Sequence, residues 1–384
     1  MKYKRQIKDS ILDNIGKKPI LVLYGARQVG KTTLVKDIMS EFKNPLYIQG
    51  DDPKDILLIT NRSGLELSTL IHNHDLVIID EAQKVQNIGN VLKLIADNNT
   101  KAKIIATGSS SFELANKISE PLTGRNRKFH MYPLSLAELI KSYGIHHVEK
   151  SLEDYMIFGT YPQIINESSR KEKALLIKEL ANDYLFKDLF IYGDIRNAFA
   201  FEKLVKLLAI NIGSEISYVD LAKEIGISRD TVMNYITLLQ QSFIIFRLTP
   251  MYNNKNKEIN KKHKIYFYDL GMRNAILGAT DPLDSRADKG AVFENFFIAE
   301  MLKQRIYNGA TDEMHFWRDR QGAEIDFIEC DASGQNIKAI ECKWNTPISI
   351  NTSFANTYPE ATFECVTKNN IVEFFKDLSQ DFIK

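Results

Sequence analysis

Gly25-Ala26-Arg27-Gln28-Val29-Gly30-Lys31-Thr32 decides the fold of the first part of the chain. The stretch fits G-x-x-x-x-G-K-[ST], a phosphate-binding loop. It follows the apolar run Ile20-Leu21-Val22-Leu23-Tyr24 and opens a segment with helical spacing at 32–42. Strand, glycine loop and helix are the context that such a loop needs. Gly25 and Gly30 permit the tight turn, and the backbone N–H groups from Gly25 through Ala26, Arg27, Gln28 and Val29 are then aimed at phosphate oxygens. Lys31 is placed to reach the outer phosphates, the Thr32 hydroxyl to bind Mg²⁺, and Thr33 to support the helix start. The positive end of the helix dipole adds to the attraction for an anion. The plain alternative is a glycine-rich strand–helix turn with no ligand.

Two further segments weigh against that alternative. Leu76-Val77-Ile78-Ile79-Asp80-Glu81 is an apolar run ending in two carboxylates. Asp80 is suited to holding Mg²⁺ and Glu81 to orienting an attacking water; helix capping is the competing use. Ile104-Ile105-Ala106-Thr107-Gly108-Ser109-Ser110-Ser111 ends in hydroxyls. In a parallel sheet the strand C-termini face the ligand crevice, so Ser109 or Ser110 is a candidate γ-phosphate sensor, with an ordinary N-cap as the other use. Arg125, in Leu122-Thr123-Gly124-Arg125, is a candidate for stabilising transition-state charge, within the chain or from a neighbour, against the plain reading of a solvated charge. Strands at 20–24, 46–49, 76–80, 103–107 and 128–131 alternate with helical segments such as 32–42 and 88–97. That alternation predicts an α/β fold with a parallel sheet wrapped by helices.

Taken together, Gly25–Thr32, Asp80-Glu81-Ala82-Gln83, Thr107-Gly108-Ser109-Ser110 and Leu122–Arg125 resemble the AAA-type P-loop ATPases of the prokaryotic "archaeal ATPase" group. Phe158-Gly159-Thr160-Tyr161-Pro162 is similar to that group's G-G-[YF]-P motif, with Thr160 in place of the second glycine. The resemblance spans essentially the whole chain. It implies ATP and Mg²⁺ as ligands, a winged helix after the ATPase, and a C-terminal domain of restriction-nuclease-like fold. It also implies a capacity to assemble into homo-oligomers, because an arginine from a neighbour often completes the site.

The chain has 384 residues, too many for one ordinary core. The sequence divides into a P-loop ATPase at 1–145, a helical region with a winged helix (about 215–250) at 146–255, and a nuclease-like α/β domain at 256–384. Lys and Arg number 50 against 49 Asp and Glu, which excludes a polycation, so nucleic-acid contact has to come from a local patch. Cys330, Cys342 and Cys365 lack CxxC spacing, which argues against a disulfide framework or a zinc site and for a reducing, cytoplasmic setting. No apolar run reaches the roughly 18 residues of a membrane helix. The basic start at 1–8 runs into polar residues rather than a signal-peptide core.

Residues 151–212 carry Leu, Ile and Phe at helical spacing. From Ser217, Leu221, Ala222 and Ile225 form one apolar helical face, Gly226 suits a tight turn, and Ser228 caps a second helix. The run 243–248 then returns as a strand. This resembles a helix-turn-helix DNA reader, with Arg229, Asn234 and Gln240 as polar candidates on the second helix. A structural or protein-docking module is the plainer use. Lys255, Lys257, Lys261, Lys262 and Lys264 are further phosphate-contact candidates, although such runs are commonly just solvated.

The C-terminal part reads as strands at 266–268, 314–318, 325–329 and 339–343, with an apolar helix at 291–302. Glu341 and Lys343 share one face of a strand, and a hairpin-like pairing brings Asp326 beside them. Asp326 and Glu341, helped by the Cys342 carbonyl, suit Mg²⁺ or Mn²⁺, and Lys343 suits positioning or activating a water. Glu294, set among apolar residues, is costly to bury unless paired or metal-bound and joins them as a metal candidate. The order Glu, Asp, Glu-x-Lys resembles the PD-(D/E)XK nuclease fold, with Ile325 where the family name has Pro. The plain alternative is an edge hairpin whose E-x-K faces solvent. The combined expectation is an ATP-hydrolysing protein acting on DNA, with a non-cleaving switch and a transcription regulator as rivals.

Overall fold

A computed structural model describes residues 3–98, 101–108, 122–192, 195–251 and 262–383. The chain forms two compact units, one of residues 2–133 with 241–243, the other of 134–240 with 244–384.

The first unit is built on a parallel sheet of β1 (Ile20–Gly25), β2 (Pro45–Gln49), β3 (Leu76–Asp80), β4 (Lys103–Gly108) and β5 (Asn126–Met131), in the order β2-β3-β4-β1-β5. The central strands β1 and β3 are buried along their whole length, while the edge strands β2 and β5 are only partly buried. This follows from composition: near-continuous Ile, Leu and Val suit a strand covered on both faces. The expected α/β class with a parallel sheet is what the structure has, and a second, mixed sheet lies in the other unit. The helix Lys31–Met39 leaves β1 through the glycine loop, and the cap Gly30 is left-handed at φ +99°. At Gly25 a side chain is excluded by packing, since a Cβ there meets the Met131 carbonyl oxygen at 2.3 Å.

The second unit has a helical part, as the spacing at 151–212 predicts. It includes the helices Ile145–Phe158, Arg170–Asn182 and Ala198–Ile210. Next come β6 (Glu215–Ile216), the helices Tyr218–Ile225 and Arg229–Gln241, β7 (Ile245–Pro250) and β8 (His263–Phe267). Ser217 caps the first helix of the pair, Gly226 ends it at φ +83°, and the Ser228 hydroxyl accepts from the Thr231 amide at 3.0 Å. The helix Lys289–Asn308 precedes β9 (Glu313–Arg318), β10 (Glu324–Cys330), β11 (Lys338–Lys343) and β12 (Thr362–Thr367). One mixed sheet runs β12-β11-β10-β9-β7-β8-β6.

The stretches 146–255 and 256–384, read from sequence as separate segments, thus share a sheet. The hairpin strand β7 pairs antiparallel with β8 on one edge and parallel with β9 on the other, Thr249 opposite His315. The unit begins at 134, ahead of the expected boundary at 145. Buried charges fasten that start. Lys303 lies 2.6 Å from Glu300 and donates to the Leu134 carbonyl at 3.3 Å, and Glu300 accepts from the Leu136 amide at 2.7 Å. Phe158–Pro162 is held nearby. The Thr160 amide donates to Asp269 at 2.8 Å, and Gly159 is required because a Cβ there meets that carboxylate at 2.1 Å. Among the described residues, no helix is long and apolar enough to cross a membrane.

Removing one member of a buried ion pair leaves an uncompensated charge and costs about 3–5 kcal/mol. Lys303→Met should therefore destabilise the second unit by about that amount in urea denaturation. A loss below about 1 kcal/mol would show that Lys303 and Glu300 do not hold the unit together.

Candidate functional sites

In the first unit the chemistry gathers at the C-terminal ends of β1, β3 and β4. Lys31 is buried, and its ammonium donates to the Gly25 and Ala26 carbonyls at 2.9 Å each. Burial pulls the Lys31 pKa down to about 8, against an opposing pull from Glu81 and Asp80. Arg5 underpins the loop from behind, donating to the carbonyls of Val29 and Tyr132 at 2.6 Å each. Gln28 holds a left-handed conformation, φ +61°, and is exposed, as is Thr33.

Asp80 is the centre of the site. Its carboxylate accepts from the Thr32 hydroxyl at 2.6 Å, from the Tyr47 phenol at 2.6 Å, and from the Thr107 hydroxyl. The topology dictates this meeting. β4 lies between β1 and β3, so Thr107 stands at the level of Asp80; Tyr47 comes from β2 on the other side. The Tyr47 hydroxyl is pushed up in pKa by burial and by its hydrogen bond to Asp80. Thr32 and Asp80 side by side form an all-oxygen donor pair, which fits a hard cation such as Mg²⁺. Glu81 sits at φ +51°, accepts from Gln83 at 2.6 Å, and has its amide anchored on Thr107 at 3.1 Å. Left-handed backbone at a non-glycine residue marks a strained position, of the kind found at functional sites.

One expected site residue is not described, and another, Arg125, is not brought into this group. Ser109 falls outside the described residues, as do Ser110 and Ser111. Arg125 lies at the opposite end of β1: its carbonyl accepts from the Ile20 amide, and its side chain pairs with Asp97 at 2.7 Å. Five residues of strand, about 16 Å, separate Ile20 from Gly25. A finger role for Arg125 at its own chain's loop is therefore excluded by geometry. Sequence reasoning missed Tyr47, Thr107 and Arg5 as site residues. Only Thr107 carried a signal, as the last polar residue of an apolar strand entering the crevice.

In the second unit β10 and β11 pair antiparallel, Phe327 opposite Ile340, which sets Asp326 across from Glu341 as expected. The Asp326 carboxylate accepts from the Cys342 amide at 2.8 Å. Glu341 accepts from the Asp326 amide at 3.3 Å and from Lys343 at 2.7 Å; Lys343 is 3.7 Å from Asp326. Burial pushes both carboxyls up, and mutual repulsion adds to this at Glu341; Lys343 opposes the shift in each. Lys343 is itself raised, because Asp326 and Glu341 outweigh its burial.

Glu294 is engaged differently. Its carboxylate accepts from Tyr266 at 2.6 Å and from Lys264 at 3.0 Å. Burial and the Asp326 charge push its carboxyl up to about 7. Lys264, read from sequence as a phosphate contact, is 1% exposed and also pairs with Glu324. Lys262 is exposed, whereas Lys255, Lys257 and Lys261 fall outside the described residues. Among the described residues, no three His, Cys, Asp or Glu side chains are grouped to hold a metal. Glu294 therefore does not complete a three-carboxylate site. Asp326 and Glu341, with the Cys342 carbonyl between them in sequence, remain the donor set whose chemistry suits a hard cation. On the helix Arg229–Gln241, Arg229 and Asn234 are exposed and Gln240 is half-buried.

Comparisons with known proteins agree with the first site. Residues 17–140 match a family described as "AAA domain". Residues 149–283 and 289–376 match two domains of unknown function, DUF8612 and DUF4143. An uncharacterized protein of Mycobacterium tuberculosis is 27% identical over 311 residues, covering 80% of this chain and 67% of the relative. One from Methanocaldococcus jannaschii is 28% identical over 329 residues, covering 80% of this chain and 71% of the relative. Among solved structures, the Walker-type ATPase PABY2304 of Pyrococcus abyssi superposes with a TM-score of 0.51 at 13% identity, over 72% of this chain and 96% of that one. The AAA-domain match, together with the loop geometry, supports ATP binding and hydrolysis by the first unit.

The depressed Lys31 pKa has a sign that can be checked. An anionic ligand needs the protonated ammonium, and the free protein loses that proton as pH rises through about 8. ATP affinity should fall roughly tenfold between pH 7 and pH 9, with net proton uptake on binding at pH 9. Calorimetric titration in buffers of different ionisation enthalpy measures both. A flat affinity with no proton uptake would show that Lys31 stays charged throughout.

Proposed function

We propose that this protein hydrolyses ATP in its first unit and uses the nucleotide state to gate DNA binding, or metal-dependent DNA cleavage, by its second unit. The observation that carries the ATPase reading is the convergence of Thr32 and Thr107 on Asp80, beside the buried Lys31. In that reading, Lys31 exchanges its two loop carbonyls for the oxygens of the β- and γ-phosphates. Thr32 and Asp80 hold Mg²⁺, which when bound neutralises charge on those phosphates. Glu81, freed from Gln83, accepts a hydrogen bond from the attacking water and orients it. Thr107 fixes both Asp80 and the Glu81 amide, so it positions the two acidic residues at once. With Arg125 at the far end of β1, an arginine completing this site has to come from another residue or a second copy of the chain.

Three features support action on DNA. Arg229 and Asn234 are exposed on the second helix of the helix–turn–helix pair. Asp326, Glu341 and Lys343 form a compact set suited to metal-assisted phosphodiester hydrolysis, using Mg²⁺ or Mn²⁺. Lys343 is the most exposed of the three, 35% against 10% and 8% for the two carboxylates, so it is placed to meet a phosphate. A second reading keeps the ATP switch but has this unit bind DNA without cutting it. The engagement of Glu294 by Lys264 favours that reading, since it removes one carboxylate from the metal set.

Lys31→Ala should lower ATP turnover by about 100-fold or more; undiminished turnover would sink the ATPase assignment. Cleavage of supercoiled and single-stranded DNA should be measured with Mg²⁺ or Mn²⁺, with and without ATP. Cleavage lost in Asp326→Ala, with ATP turnover kept, is the outcome expected of a nuclease. Absence of cleavage by the wild type under all conditions establishes the switch reading instead.

A further inference from the structure

A lysine buried to 1% is held in a low-dielectric setting only where carboxylates compensate it. Lys264 meets Glu294 at 3.0 Å on one side and Glu324 on the other, with the Phe316 ring centroid 5.2 Å away. Its β8 neighbour Tyr266 donates to the same Glu294 oxygen. Burial alone would pull the Lys264 pKa down, but Glu294, Glu324 and Asp326 outweigh it and keep the ammonium protonated. Gly213 lies close to Glu294, since a Cβ added there would come within 3.3 Å of both carboxylate oxygens. At the rim Arg318 lies 3.3 Å from Glu215 and 3.7 Å from Glu324, and Arg318 and Glu215 together add no net charge.

The charge balance inside the rim is informative. Glu294, Glu324, Asp326 and Glu341 are four carboxylates, facing the two ammoniums of Lys264 and Lys343. Fully ionised, the four would outnumber the ammoniums by two, the charge of one divalent cation; burial and the Asp326 charge, which push the Glu294 carboxyl up to about 7, oppose that excess when no cation is bound. The four carboxylates are unevenly placed. Glu294 and Glu324 face Lys264, whose side chain is almost wholly enclosed; Asp326 and Glu341 face Lys343, whose side chain is 35% exposed and can move aside.

We propose that Lys264 is the resident cation of this cluster: it occupies the Glu294–Glu324 side permanently and leaves Asp326 and Glu341 to take a single divalent ion. The inference rests on the metal reading of the second unit given above. It makes Lys264 a positioning residue, one that acts through Glu294 and Glu324 without touching a substrate. It also sets the stoichiometry at one metal per chain in this unit. Once Lys264 is neutralised, the vacated carboxylates should accept a second divalent cation, because Glu294 then loses its ammonium partner and Glu324 keeps only the 3.7 Å contact with the exposed Arg318.

The test is Mn²⁺ binding to the full chain without nucleotide, followed by calorimetry and by thermal unfolding. The wild type should bind one Mn²⁺ that Asp326→Ala abolishes. Lys264→Met should bind two, and the second should vanish in Lys264→Met with Glu294→Gln. Lys264→Met should also gain more thermal stability from Mn²⁺ than the wild type does. Two Mn²⁺ in the wild type, both lost on disrupting Asp326 and Glu294, would overturn the proposal. So would a folded Lys264→Met that binds no more than the wild type. If the wild type binds none at Asp326, the metal reading fails separately; a gain of one ion in Lys264→Met would still identify Lys264 as the resident cation. Should Lys264→Met fold poorly, refolding with and without Mn²⁺ decides: recovery only with the metal supports the proposal, and no recovery overturns it.

Discussion

The carboxylate of Asp80 is the constraint on which the first unit turns. Three hydroxyls from three different elements converge on it: Thr32 from the helix after the loop, Tyr47 from β2 and Thr107 from β4. One carboxylate has acceptor sites enough for several such bonds. The arrangement therefore couples the register of four elements to the position of one side chain. Any displacement of β4 relative to β3 also moves the Glu81 amide, since Thr107 accepts from it. Geometry at the candidate hydrolytic residue is thus controlled by ordinary sheet packing around β3 and β4.

The second unit solves a different problem, that of placing many charges indoors. Lys303 with Glu300, Arg273 with Asp288, and Lys264 with Glu294 and Glu324 are each paired within the fold. The first two serve to tie segments together: Arg273 donates to the Ala209 carbonyl at 2.8 Å as well as to Asp288, and Lys303 reaches the Leu134 carbonyl. The Lys264 cluster differs in holding more carboxyls than ammoniums. Burial first, and the charge of Asp326 second, push the carboxyls of Glu294 and Glu341 up, which is how the fold tolerates so many acids in a partly enclosed place.

Much of this was legible in local sequence. The loop Gly25–Thr32, the acidic end of β3 and the alternation of strands and helices specify the parallel sheet, because each is a pattern over neighbouring residues. The opposition of Asp326 and Glu341 was legible too, since side-chain alternation along two adjacent strands fixes which residues can meet. The roles of Tyr47 and Arg5 were not, because hydrogen-bond partners dozens of residues away leave no local trace. The same limit explains Arg125. A Gly-Arg step after a hydroxyl-rich stretch is compatible with either end of a strand, and only the pairing of Ile20 with Asn126 fixes which end.

Lys264 shows the limit most clearly. In the sequence it ends a run of lysines and reads as one more solvated cation. Its neighbour Lys262 is exposed, two residues away. Strand alternation alone would put Lys262 and Lys264 on the same face, so their opposite fates cannot come from periodicity. The difference arises because Lys264 is flanked by strands on both sides, Leu248 of β7 and Glu215 of β6, whereas Lys262 precedes the first residue of β8. Enclosure by both neighbours removes water from Lys264, and only then does the pairing with Glu294 and Glu324 become obligatory. A buried lysine among acids is therefore a consequence of sheet order, and sheet order in this unit depends on β7 pairing with β9, a contact between residues about 65 positions apart.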